Sequence, residues 1–113
     1  MEVVIVGTGY VGLVTGVCLA DMGHKVTCVD IDTEKIHQLR RGSIPIFEPG
    51  LEPLILNNVA VERLHFTTSL AEAMEEASVI FICVGTPPRA NGSANLDYVL
   101  GVASEIGQNL KHY

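Results

Sequence analysis

The chain has 113 residues, 48% of them hydrophobic, with a mean hydropathy of +0.35 and a formal net charge of −6. That length suits one domain, and so apolar a composition argues against disorder. The acidic balance, with no basic cluster, argues against a nucleic-acid partner, and the apolar runs fall well short of the roughly 20 residues a membrane span needs.

The N-terminus enters a strand at once, with no charged leader or cleavage site, so a cytoplasmic protein is expected. Val3-Val4-Ile5-Val6 is an unbroken β-branched run, the pattern of a strand buried on both faces in the middle of a parallel sheet. It runs straight into Gly7-Thr8-Gly9-Tyr10-Val11-Gly12, a Gly-x-Gly-x-x-Gly turn that opens an apolar helix. Each glycine has its own task. Gly7 lets the chain turn off the strand, Gly9 lets a pyrophosphate approach the backbone, and Gly12 lets the helix lie close to the sheet. The free N–H groups of the helix's first turn favour an anion there. Tyr10 offers its ring or its N–H to a ligand, or simply packs.

That helix is expected from Tyr10 to Met22, with Gly23 as its stop. Gly12, Gly16 and Ala20 form a small-residue face for close approach to the sheet. Lys25-Val26-Thr27-Cys28-Val29-Asp30 is the second strand, and Asp30 falls 18 residues after Gly12. This is close to the spacing of the dinucleotide fingerprint, in which an acid accepts the ribose hydroxyls of the adenosine. A 2′-phosphate would meet its negative charge, so the pattern prefers NAD to NADP. The alternative is that Asp30 only begins a turn. Asp32 is a candidate N-cap for a helix from Thr33 to about Arg41, stopped by Gly42. Lys35, one turn into that helix, reaches the ribose or its phosphate, or is a solvated lysine.

Ser43 to Leu51 holds Pro45, Pro49 and Gly50 and reads as a shaped loop whose apolar residues cover a sheet edge. A short helix from Leu51 to Asn57 follows, with Pro53 tolerated in its first turn. His65-Phe66-Thr67-Thr68 is a third strand, and Ser69 with Glu72 has capping-box spacing for a helix to about Glu76. Val79-Ile80-Phe81-Ile82-Cys83-Val84 shows no alternation and is expected to be buried on both faces. Gly85-Thr86-Pro87-Pro88 breaks it. In doubly wound sheets ligands lie beyond the strands' carboxyl ends, so Val84–Pro88 should face the same ligand as Gly7–Gly12. After an Asn91-Gly92 turn, Asn95 caps a last helix, Leu96 to about Leu110, with an apolar stripe of Val99, Val102, Ala103 and Ile106. The order β-α-β-α-loop-α-β-α-β-α describes an α/β domain on parallel strands. Cys18, Cys28 and Cys83 lie in apolar patterns without metal or disulfide spacing and are expected to be buried structural thiols.

The glycine turn, Val29-Asp30 with Lys35-Ile36, Phe47-Glu48-Pro49-Gly50-Leu51, Phe66-Thr67-Thr68 and Gly85-Thr86-Pro87 occur in that order. Together they resemble the NAD-binding N-terminal part of the UDP-glucose/GDP-mannose 6-dehydrogenase family. The Glu-Pro-Gly-Leu insertion separates that family from generic dinucleotide binders. The resemblance implies a Rossmann-type doubly wound sheet, here incomplete, in which Gly7, Thr8, Gly9, Tyr10, Val11 and Gly12 hold the pyrophosphate of NAD. Asp30 and Lys35 would hold the adenosine ribose. Val84, Gly85, Thr86, Pro87 and Pro88 would line the nicotinamide half. It also implies oxidation of the C6 alcohol of a nucleotide sugar by two NAD⁺ in succession. The cysteine, lysine and acid or amide that run that chemistry match nothing in these residues, so a fragment or truncated gene without catalysis of its own is expected. The partners are then NAD and, through further sequence, a nucleotide sugar, with a homo-oligomer open. A stand-alone NAD-binding or redox-sensing module is the alternative.

Overall fold

β-branched residues prefer a pleated, enclosed backbone, and the run Val3–Val6 lies in β1 (Glu2–Val6), an inner strand of a four-stranded sheet. The computed structural model describes residues 1–44, 48–85, 89–93 and 95–110. In chain order the elements are β1, α1 (Tyr10–Asp21), β2 (Lys25–Val29), α2 (Thr33–Arg40), α3 (Leu51–Ala60), β3 (Leu64–Thr67), α4 (Leu70–Met74), β4 (Val79–Ile82) and α5 (Asp97–Asn109). The sheet order is β3-β2-β1-β4, and every pairing is parallel. β1 meets β2 in the register Glu2↔Lys25 to Val6↔Val29, and meets β4 in the register Val3↔Val79 to Val6↔Ile82.

Side chains alternate across a strand, and each face of the sheet has its own core. Val3 and Ile5, with Val26, Cys28, Leu64 and Phe66, lie under α1, α2 and α3. Val4, Val6 and Val29 face the other way, with Leu70 of α4 and the partly buried Val102 and Ile106 of α5. The chain therefore winds outward from β1 to β3 on one face and returns along the other to β4. Its direction reverses between β1 and β4, and the ends of those two strands flank the crevice where such sheets take their ligands.

Local chemistry sets the element ends. Gly12, Gly16 and Ala20 are buried as the small-residue spacing requires, and a Cβ added to Gly16 would lie 2.9 Å from Cys28 Sγ. α1 ends with Met22 and Gly23, whose φ of +105° suits glycine. Asp32 caps α2 by accepting the Lys35 N–H at 3.1 Å. Ser69 caps α4 by accepting the Glu72 N–H at 3.2 Å. The Ser69 N–H donates to Thr67 Oγ1 rather than to the Glu72 side chain, so only half of the capping box is made.

Four expectations are corrected. α3 runs to Ala60 rather than stopping at Asn57, because Asn58 is a buried, fully partnered residue. Its Nδ2 donates to Leu54 O at 2.8 Å and Asp21 Oδ1 at 3.3 Å, and its Oδ1 accepts from Arg63 Nε at 3.2 Å. β4 is an edge strand among the described residues, with Phe81 40% and Ile82 36% exposed, because only β1 pairs with it. α5 buries no residue; Val102 and Ile106 reach the second core only in part. Fully burying a large apolar side chain is worth about 1.5–3 kcal/mol, so α1, with Leu13 and Val17 fully buried, is held far more firmly than α5. Cys18 is exposed on α1, whereas Cys28 is buried and Cys83 partly so. Ile44 of the loop packs partly buried against the core that Leu51, the first residue of α3, joins; Pro45, Ile46 and Phe47 lie outside the described residues.

Candidate functional site

The turn from β1 into α1 is built on three glycines that face three different surroundings. Gly7 has φ +103°, its N–H donates to Val29 O at 2.7 Å, and a Cβ there would stand 2.7 Å from Cys83 O. Gly12 is pressed onto the turn, and a Cβ would overlap the Gly7 carbonyl oxygen. Gly9 is different: no atom lies within 4 Å of where its Cβ would be. Its lack of a side chain serves neither packing nor an unusual φ, since its φ is −72°. Open space at that point leaves the backbone approachable from outside.

Gly9 is also the N-cap of α1, and it has no side chain to satisfy the helix's first amides. There is no acidic residue in the first turn. The N–H groups of Tyr10, Val11 and Gly12 therefore have no intrahelical acceptor, and the helix dipole adds partial positive charge to them. Val11 is 66% exposed at this turn. A pyrophosphate fits this cradle chemically.

Asp30 follows β2, beside the turn. Its Oδ2 accepts from Thr8 Oγ1 at 2.6 Å and from Thr8 N at 3.0 Å, and Lys35 Nζ lies 3.8 Å away. Its Oδ1 accepts from Asp32 N at 3.0 Å. Burial pushes the Asp30 carboxyl pKa up. The Thr8 hydroxyl, the Asp32 and Thr8 amides and the Lys35 charge together outweigh this, and the net value lies below the usual carboxylate one. Asp30 is thus ionised at neutral pH and fixed, as a diol acceptor must be.

Of the sequence-predicted residues, Gly7 to Gly12, Asp30 and Lys35 are brought together. Lys35 comes to Asp30, as an ion pair. Thr8 is wholly buried, and its side chain is directed to Asp30. Tyr10 neither packs nor points into the core. It is 52% exposed, and its hydroxyl donates to Glu48 Oε2 at 2.7 Å, which raises the Tyr10 pKa. Sequence reasoning gave Glu48 no individual role, and no spacing rule links residues 38 apart. Val84 packs into the second core cluster and Gly85 is exposed beyond it. The Cys83 N–H donates to Val6 O at 2.7 Å, so the β1–β4 pairing carries this segment up to the glycine turn. Thr86, Pro87 and Pro88 lie outside the described residues. A cleft of about 630 Å³ elsewhere, lined by Lys25, Thr27, His65 and Glu72 among others, contains none of the residues above. No helix among the described residues is long and apolar enough to cross a membrane.

A parallel sheet wound both ways from β1, an uncapped glycine turn and an anchored acid after the next strand define a Rossmann-type dinucleotide-binding domain. Comparison with known proteins narrows this. Residues 1–113 match the model for the UDP-glucose/GDP-mannose dehydrogenase family, NAD binding domain, and the chain belongs to that family. It is 53% identical over 114 residues to a UDP-glucose 6-dehydrogenase of Rhizobium meliloti, covering 100% of this chain and 26% of that protein. Against a UDP-glucose 6-dehydrogenase of Bacillus subtilis it is 50% identical over 111 residues, covering 98% and 25%. A ternary complex of GDP-mannose dehydrogenase from Pseudomonas aeruginosa superposes with a TM-score of 0.91 at 44% identity, over 95% of this chain and 24% of that one. The chain thus spans about a quarter of the length of the curated relatives it matches. Its coenzyme is NAD.

Proposed function

We propose that this domain holds the coenzyme for oxidation of a nucleotide sugar at its C6 alcohol, as part of a UDP-glucose/GDP-mannose-type 6-dehydrogenase. The observation that carries the reading is Asp30, ionised and anchored beside the start of α1, whose first-turn amides have no side-chain cap. In this reading the amides of Tyr10, Val11 and Gly12 hold the pyrophosphate, with Gly7 and Gly9 shaping its approach. Asp30 accepts from the adenosine ribose diol, and Lys35 adds to the Thr8 and Asp32 hydrogen bonds that keep that carboxylate charged and lends the site a cation. Val84, Gly85, Thr86, Pro87 and Pro88 flank the nicotinamide half. When bound, NAD⁺ would supply the hydride acceptor, and two molecules in succession, with water giving the second oxygen, would take the alcohol to the carboxylate.

The sugar site and the nucleophile are assigned to sequence other than these residues. A catalytic thiol needs a lowered pKa, and Cys28 and Cys83 run the other way. Burial pushes Cys28 up to about 12 and raises Cys83 as well. The domain alone is therefore expected to bind coenzyme without turning over sugar. A cytoplasmic setting, with a nucleotide sugar as the second ligand, follows from the same reading. Isothermal titration calorimetry with NAD⁺ and NADP⁺ tests it. NAD⁺ should bind at least about tenfold more tightly, since hydrogen bonds to a charged acceptor are worth roughly 1.5–3 kcal/mol and a 2′-phosphate would replace them with repulsion. Equal affinities would refute the assignment of Asp30.

A further inference from the structure

Thr8 stands between two of the glycines, next to the exposed Gly9, yet it is completely buried. A buried threonine needs an acceptor for its hydroxyl, and a carbonyl oxygen nearby in the chain is the usual one. Here the acceptor is a carboxylate 22 residues away, reached at 2.6 Å, with the Thr8 N–H on the same oxygen at 3.0 Å. Lys35 Nζ approaches that oxygen too, at 3.8 Å. Among the described residues the other oxygen, Oδ1, accepts only the Asp32 N–H. A carboxylate oxygen has two lone-pair sites, so Oδ2 is fully engaged while Oδ1 keeps one free.

We propose that Thr8 is the positioning and specificity-determining residue of the ribose site: it does not touch the coenzyme but acts through Asp30, locking the carboxylate so that Oδ1 is offered to the ribose diol. The proposal rests on the NAD reading above and adds a mechanism to it. The second torsion of an aspartate side chain is broad and weakly restrained, so an unlocked Asp30 can turn aside. A carboxylate that turns aside loses its grip on the diol and makes room for a 2′-phosphate. Two donors from one buried residue, on an oxygen that also faces a lysine, remove that freedom. The same donors keep the acid ionised in a partly buried place, so geometry and charge are set together.

The test uses Thr8→Val, which keeps the shape and the backbone N–H but removes the hydroxyl, with Thr8→Ser as the conservative replacement. Thr8→Ala covers the case in which valine disturbs folding. Dissociation constants for NAD⁺ and NADP⁺ are measured by calorimetry, and the Asp30 carboxyl is titrated by carbon NMR of its labelled side chain. Thr8→Val should weaken NAD⁺ about tenfold, the loss expected for one hydrogen bond to a charged group, and leave NADP⁺ unchanged or tighter. The Asp30 titration should move upward, and Thr8→Ser should restore both. In an Asp30→Ala background, Thr8→Val should not change the coenzyme ratio further. A purely structural threonine would weaken both coenzymes alike, and that result overturns the proposal. An Asp30 titration unmoved in Thr8→Val and Thr8→Ala overturns it on its own, whatever binds. A wild-type protein indifferent to the 2′-phosphate overturns the NAD reading of Asp30 and with it the selectivity role, while the titration still reports whether Thr8 holds the acid.

Discussion

Gly9 and Gly12 stand three residues apart in one turn, and the structure assigns them opposite responses to the same added methyl group. Gly12→Ala puts a Cβ into the Gly7 carbonyl oxygen, with Cys83 Cβ 3.2 Å away on the other side. Neither obstacle is the far end of a flexible side chain, so α1 must lift from the sheet. Overpacking of this kind costs about 1–3 kcal/mol, and more when backbone blocks the way. At roughly 4–8 °C per kcal/mol for a domain of about this size, the melting temperature should fall by ~10 °C or more. Gly9→Ala meets no atom within 4 Å, and its φ of −72° and ψ of −168° are open to alanine. Alanine is a poorer N-cap than glycine, but it restricts the unfolded chain by about 0.4–1 kcal/mol, so the two effects nearly cancel. Stability should stay within ~0.5 kcal/mol of wild type while the methyl group occupies the approach of the pyrophosphate. Thermal melts by circular dichroism and NAD⁺ calorimetry on both variants separate the two roles. Wild-type NAD⁺ affinity in Gly9→Ala, or a wild-type melt in Gly12→Ala, would refute the reasoning.

Three further outcomes are expected. Glu48 raises the pKa of the Tyr10 phenol it hydrogen-bonds, so ultraviolet titration should show one tyrosine ionising above the ordinary 10.0. Glu48→Gln should bring it back and Tyr10→Phe should delete that phase; a wild-type curve for Glu48→Gln would remove the contact. The lowered Asp30 value makes its share of stability complete above the ordinary carboxyl value of 3.8, and that share is lost as pH falls through the lower folded value. Urea midpoints should therefore drop in that acid window less steeply for Asp30→Asn than for wild type, and parallel curves would count against the ionised, hydrogen-bonded carboxylate. With Ellman's reagent near pH 8 the exposed Cys18 should react first and Cys83 more slowly, while Cys28, pushed to about 12, should react only on unfolding. Fast modification of all three would contradict the packing of β2.

The inner strands were legible because their residues speak to both faces at once. Val3–Val6 is apolar without alternation, and each face of β1 does meet a core. Val79–Ile82 carries the same signal and yet half of it is exposed. A strand's composition reports what its faces favour, not what the neighbouring chain supplies to cover them. Caps read well for a similar reason: Asp32 and Ser69 satisfy N–H groups three residues away, within the reach of a local pattern. The extension of α3 past Asn57 was not legible, because the Asn58 partners Asp21 and Arg63 lie outside that helix. The site divides along the same line. Glycine spacing and the distance from Gly12 to Asp30 are properties of one βαβ unit and could be read directly. The Tyr10–Glu48 bond depends on how the α2–α3 connection returns to α1, and no local rule encodes that.

The two halves of the proposed coenzyme site are one mechanical unit, and this follows from where the hydrogen bonds go. The glycine turn is fastened to β2 by the Gly7 N–H on Val29 O, and Thr8 next to it is fastened to Asp30. Asp30 in turn is tied outward to β3, since its own N–H donates to Thr67 O at 3.2 Å, and onward to α2 through Asp32 and Lys35. The proposed pyrophosphate cradle and ribose acceptor therefore cannot move apart without breaking these contacts. A site assembled in this way spends little binding energy on ordering its own groups, and that energy remains available for affinity and selectivity. A substitution that loosens the Thr8–Asp30 contact should accordingly harm coenzyme recognition more than it harms the fold, because neither residue belongs to either core cluster.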